Sequence, residues 1–108
     1  MAKTDYDPTT VAGRTFHDRL PAFRACDDDP RAYLERCLET IAVREPVVRA
    51  FAHLNIDAAR VSADASAARW RGNRPLSQID GMPIGIKDLL ETRDMPTEMN
   101  CAALKGNY

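Results

Sequence analysis

No run of this chain is apolar for long enough to span a bilayer, and Met1 to Thr10 lack the apolar segment of a secretory signal. Membrane insertion and export are therefore not expected. Charge of one sign is missing as well: 15 Lys and Arg stand against 16 Asp and Glu, so no long-range field gathers nucleic acid or anionic lipid. The three cysteines, Cys26, Cys37 and Cys101, are odd in number and widely spaced, with no Cys-x-x-Cys pair and no histidine at ligand spacing. That excludes a disulfide framework and leaves reduced, structural thiols in a cytoplasmic protein. There is no internal repeat, no low-complexity tract and no aromatic pair to serve as a stacking platform for bases, so Trp70 is expected to pack.

What remains is ordinary globular material, 44% apolar and 29% charged over 108 residues, enough for one core. A chain of this size buries roughly two-thirds of its unfolded surface if its elements complement one another. Residues 1–28 are weakly patterned, with Val11, Phe16, Leu20 and Phe23 at near-helical spacing, and read as an arm or short helix. Asp29 followed by Pro30 then reads as an N-cap with proline at the first helical position, opening a helix over about 30–44. Tyr33, Leu34, Cys37, Leu38 and Ile41 form its apolar stripe, and Pro46 is expected to stop it. The acidic run Asp27, Asp28 and Asp29 suits a helix N-terminus, where carboxylates favour the macrodipole, better than a metal site.

From Val47 to Leu54 the apolar period falls to two, which predicts a half-buried strand. Asn55 or Asp57 caps a second helix reaching about Arg71, stopped by Gly72 and Asn73, with Ala59, Ala63, Ala67 and Trp70 on one face to lie close to a sheet. Arg60, Arg69, Arg71 and Arg74 read as the solvated side and exit of that helix. A further strand is expected from Met82 to Leu90. The alternation of helix and strand argues an α/β class, but with two or three short strands the sheet edges stay open and the sheet is marginal.

The last strand holds the chemistry. Ile84 and Ile86 fall on one face and Pro83, Gly85, Lys87 and Leu89 on the other, so Lys87 shares its face with a residue that has no side chain. Another backbone or a substrate can approach beside the ammonium. Asp88 falls on the isoleucine face, where its carboxylate has to be hydrogen-bonded.

The stretch Gly81-Met82-Pro83-Ile84-Gly85-Ile86-Lys87-Asp88 resembles the lysine motif of the amidase signature family. Its context agrees: a helix leads through Arg44-Glu45-Pro46 into Val48-Arg49-Ala50-Phe51, an Ala/Asp-rich helix follows, and Met95-Pro96-Thr97 is similar to the family's turn after the lysine. The resemblance runs from about 30 to 107 and marks residues 29–108 as the N-terminal segment of such a domain. It implies the first part of an α/β/α sandwich around a mixed sheet, incomplete in this chain. It also implies amide-bond hydrolysis by a serine nucleophile, a second serine in a cis peptide and a lysine, here Lys87, with no cofactor and no metal. The two serines belong to a Gly/Ser-rich stretch that nothing in this chain matches; Ser62, Ser66 and Ser77 fit no serine motif.

Two positions depart from the pattern, Asp94 where a glycine is usual and Asn100-Cys101 where Gly-Ser is usual. Asparagine tolerates the left-handed conformation, so the turn is expected to survive at Asn100. In the implied mechanism a neutral Lys87, desolvated among Ile84, Leu89 and residues outside the chain, takes the proton relayed from the nucleophile, while backbone N–H groups hold the oxyanion. His17 and His53 receive no catalytic role. The expected activity is that of an amidase on a small-molecule amide, absent from this chain alone, without direct contact to nucleic acid or membrane, and with room for a homodimer of the full-length protein. The alternatives are the amidotransferase component that releases ammonia from glutamine for tRNA-dependent amidation, and a non-enzymatic truncated remnant.

Overall fold

Asp29 adopts an extended backbone and its side chain accepts the Ala32 N–H at 2.8 Å, so the first long helix starts where an N-cap and Pro30 place it. The protein is described from a computed structural model covering Thr9 and residues 13–108. A single 3-10 turn, His17–Arg19, runs into α1 (Leu20–Arg24); α2 (Pro30–Val48) and α3 (Ile56–Arg71) follow, and a second 3-10 turn occupies Ala102–Leu104. Asn55 occupies the N-cap position of α3, but its side chain closes no cap hydrogen bond and donates to Asp94 instead. Gly72 donates to Ala68 O at 3.0 Å, and Asn73, at φ 54°, turns the chain away from the helix.

The core is a cluster of aromatic rings. Phe16, Leu20 and Phe23 are buried against Tyr33 of α2 and Trp70 of α3. Phe16 stacks edge-on to Tyr33 with centroids 5.2 Å apart, and Phe23 lies 5.7 Å from Trp70. Such offset and edge contacts add to the burial of large rings. The segment 13–28 thus supplies a short helix that completes the core, while Val11 lies outside the described residues. Ala63, Ala67 and Trp70 are buried on one face of α3, as their spacing predicts, but the surface they meet is formed by α1 and α2.

The α/β class, and with it the start of an α/β/α sandwich, is not what the structure shows: the described residues form helices and no strand or sheet. The reason is local. Pro46 forfeits one hydrogen bond in the last turn of α2 without ending it, so Val47 and Val48 complete the helix, and Arg49 closes it in the left-handed region at φ 51°. The Glu45 carboxylate then takes the Ala50 and Phe51 N–H groups, at 2.6 and 2.9 Å, which a strand would have offered to a ladder. Residues 82–87 form no regular element and pair with no neighbouring strand, and the chain turns at Lys87, whose carbonyl accepts the N–H of both Leu89 and Leu90. A strand is a pairing, and period-two patterning cannot supply the second member.

One ion pair sets the entry to residues 82–87. Asp80 is buried and accepts from Arg69 Nε and Nη2 at 2.8 and 2.6 Å and from Leu76 N at 2.9 Å, while its carbonyl accepts the Trp70 indole N–H at 3.0 Å. The Arg69 guanidinium foremost, outweighing burial, holds the Asp80 carboxyl down at about 2. A carboxyl depressed in the folded state adds stability above its unfolded pKa near 4, and that stability is lost as pH falls through about 2. Asp80→Asn is expected to cost about 2 kcal/mol at neutral pH. In urea titrations repeated from pH 6 to pH 2, the gap between the variant and the parent should close as pH falls, and a gap constant with pH would contradict the assignment.

Candidate active site

Residues 82–87 leave the turn held by Asp80 and pass along a cleft of about 720 Å³. Its walls are residues of α2 and α3, among them the apolar Leu34, Ile41 and Ala59 and the polar Ser62 and Arg69, together with the connector of residues 51–55. Lys87 lines this cleft and is exposed, and among the described residues its ammonium closes no hydrogen bond or ion pair. Gly85 borders open space: a Cβ built there meets nothing within 4 Å. The open space expected at Gly85 is present. The desolvation expected from Ile84 and Leu89 is not, since these side chains are 71% and 58% exposed.

Asp88 is hydrogen-bonded, as a carboxylate beside apolar residues must be, and its Oδ1 accepts the Glu98 N–H at 3.0 Å. That bond closes the base of a loop over residues 88–98. Thr97 is buried inside it, donating its hydroxyl to Leu90 O at 3.0 Å and its N–H to Asn107 O at 2.7 Å. Met99 and Asn100 both sit in the left-handed region, at φ 50° and 52°. Asn100 thus holds the left-handed conformation that its conformational tolerance permits.

The remaining polar residues divide cleanly. Ser66 is fully buried and its hydroxyl closes no hydrogen bond of ordinary geometry, Ser77 Oγ accepts the Ile79 N–H at 3.2 Å, and Ser62 is exposed at the cleft. In the acidic run, Asp29 caps α2 and Asp28 takes Arg36 at 2.7 Å and Arg19 at 2.9 Å. Burial pushes the Asp28 carboxyl up, but the hydrogen bonds from Arg36, Asp29 N–H and Arg19 together hold it below the usual carboxylate range. Of the basic run, Arg60 is paired with Glu35 at 2.7 Å and Arg69 with Asp80, while Arg71 and Arg74 are exposed. The three cysteines are free thiols. No helix of the described residues is long and apolar enough to cross a membrane.

Sequence reasoning passed over His53. Its Nε2 lies 2.8 Å from Glu98 Oε1, and the other carboxylate oxygen of Glu98 accepts the Gly106 N–H at 2.6 Å. The imidazole foremost, with that N–H, holds the Glu98 carboxyl below its ordinary value. Asp94, where the family pattern has glycine, accepts from the Asn55 side-chain amide. Partners 39 and 45 residues apart leave no trace in periodicity or spacing.

Comparison with known proteins places this chain in a family. The Amidase family model matches residues 32–108. The A-type subunit of glutamyl-tRNA(Gln) amidotransferase from Chloroflexus aggregans is 44% identical over 72 residues, which are 67% of this chain and 15% of that protein. The protein of the same name from Acidothermus cellulolyticus is 34% identical over 82 residues, 76% of this chain and 15% of that protein, and the one from Renibacterium salmoninarum is 40% identical over 77 residues, 70% and 14%. The chain thus spans about 15% of the length of the curated relatives it matches. No solved structure matches it.

Proposed function

We propose that this chain, which belongs to the amidase family, contributes Lys87 as the proton-accepting residue of an amide-bond hydrolase. The observation that carries the reading is the coincidence of two independent facts at one place. The family match includes the Gly81–Asp88 motif, and the structure sets Lys87 on a cleft with open space beside Gly85. The serine that attacks the carbonyl and the serine that relays its proton come from residues outside these 108, since none of Ser62, Ser66 and Ser77 sits in a serine motif. Lys87 takes the relayed proton as the tetrahedral intermediate forms and returns it to the departing amine. An amine can do this only where water is kept away, and Lys87 is exposed here, so the same outside residues must also cover the cleft. The free thiols fit a reducing, cytoplasmic setting, and the substrate proposed is a small-molecule amide.

A second reading is favoured by the names of the relatives: the amide is that of glutamine, and the ammonia released serves tRNA-dependent amidation with partner subunits. Assays of ammonia release by the full-length polypeptide carrying this chain separate the two. Turnover of simple aliphatic and aryl amides without tRNA supports the first, whereas glutamine turnover that rises with charged tRNA supports the second. The 108-residue chain alone is expected to be inactive on all of them. Turnover by that chain, or a coding frame that ends at Tyr108, would overturn the proposal.

A further inference from the structure

The loop of residues 88–98 follows Lys87 directly, and two side-chain links bolt it to the connector before α3: His53 to Glu98 at 2.8 Å and Asn55 to Asp94. Glu98 is the hub. Its N–H binds Asp88 Oδ1 at 3.0 Å, one carboxylate oxygen faces His53, and the other receives the Gly106 N–H at 2.6 Å. The chain before Lys87 is fixed at the other end by the buried Asp80 and by Gly81, packed against Pro30 and Ser66, while residues 82–87 between these anchors have no ladder partner. Where Lys87 sits relative to the cleft is therefore decided by its two anchors. The downstream anchor reaches the helical scaffold through His53 and Asn55.

We propose that the His53–Glu98 and Asn55–Asp94 links form a clasp that positions Lys87, making these four side chains positioning residues for the reaction. The inference rests on the reading of Lys87 given above. It gives Asp94 a use at a position where the family pattern has glycine, and it gives His53 one that involves no proton transfer. Both pairs are accessible to solvent, with His53 38% and Glu98 21% exposed, so they weigh little on stability and act through geometry.

The test uses the full-length polypeptide. His53→Ala and Glu98→Ala should each lower kcat by about 10- to 100-fold, the cost of an ångström-scale misplacement, with KM within about threefold of the parent. The double variant should be no worse than Glu98→Ala alone, because Glu98→Ala already breaks the link to His53. Glu98→Gln should stay within about threefold of the parent, since its amide oxygen can accept the Gly106 N–H while its NH2 donates to a neutral imidazole. Thermal midpoints should stay near the parent's throughout. Should Glu98→Ala fail to fold, His53→Ala, which removes only one exposed partner, carries the same kcat test. A parental kcat in His53→Ala and Glu98→Ala, beside an inactive Lys87→Ala, overturns the clasp alone. A parental kcat in Lys87→Ala overturns the reading of Lys87 itself.

Discussion

Gly81→Ala is expected to destabilise the chain by about 3 kcal/mol, a drop of roughly 10–20 °C in thermal midpoint. Two costs combine. Gly81 holds φ +90°, which side-chain-bearing residues rarely adopt, and a Cβ there would overlap the Ser66 hydroxyl and lie 2.6 Å from Pro30 Cβ and 2.9 Å from its Cγ. Pro30 and Ser66 are among the most deeply buried residues, so neither can step aside. Urea titration followed by Trp70 fluorescence reads the loss directly, since Trp70 is 4% exposed in the folded state. Ser66→Ala added to Gly81→Ala should recover part of the loss, because it removes one of the two obstructions and leaves the ring of Pro30 and the backbone strain. An unchanged midpoint in Gly81→Ala would refute this packing.

The same contact explains why the motif begins with glycine. Chain direction reverses at Gly81 while its backbone lies against the first turn of α2, where Pro30 sits, and the side of α3, where Ser66 sits. The helices themselves were legible because each carries its own punctuation: Asp29-Pro30 opens α2, and Asn55 and Gly72-Asn73 bracket α3. The strands were not, because a strand depends on a partner that sequence pattern does not name. Val47 and Val48 alternate correctly with their neighbours but were captured by the helix before them, and the Glu45 carboxylate took the N–H groups of the next two residues after Arg49. The stretch Gly81–Asp88 was legible as a family resemblance and lies inside the family match, and the open space beside Gly85 follows from the residue type. The His53–Glu98 link was not, since it joins an irregular connector to a loop and neither has a period to read.

Lys87→Ala in the full-length polypeptide is expected to lower kcat by about 1,000-fold, or about 4 kcal/mol of transition-state stabilisation, with the folded state unchanged. The side chain is exposed in this chain and closes no bond among the described residues, so its removal leaves no buried group unsatisfied. Arginine makes the decisive comparison. It restores the positive charge and most of the length, but guanidinium stays protonated at any working pH and has no lone pair to offer, so Lys87→Arg should be as inactive as Lys87→Ala. Asp88→Ala serves as the contrast at the adjacent position: its carboxylate closes the loop through the Glu98 N–H at 3.0 Å, so the variant should lose thermal stability. Steady-state kinetics of the Lys87 variants, with circular dichroism to confirm their fold, give the answer. Parental turnover in Lys87→Arg would show that Lys87 supplies charge alone, and the proton-accepting role would have to pass to another group.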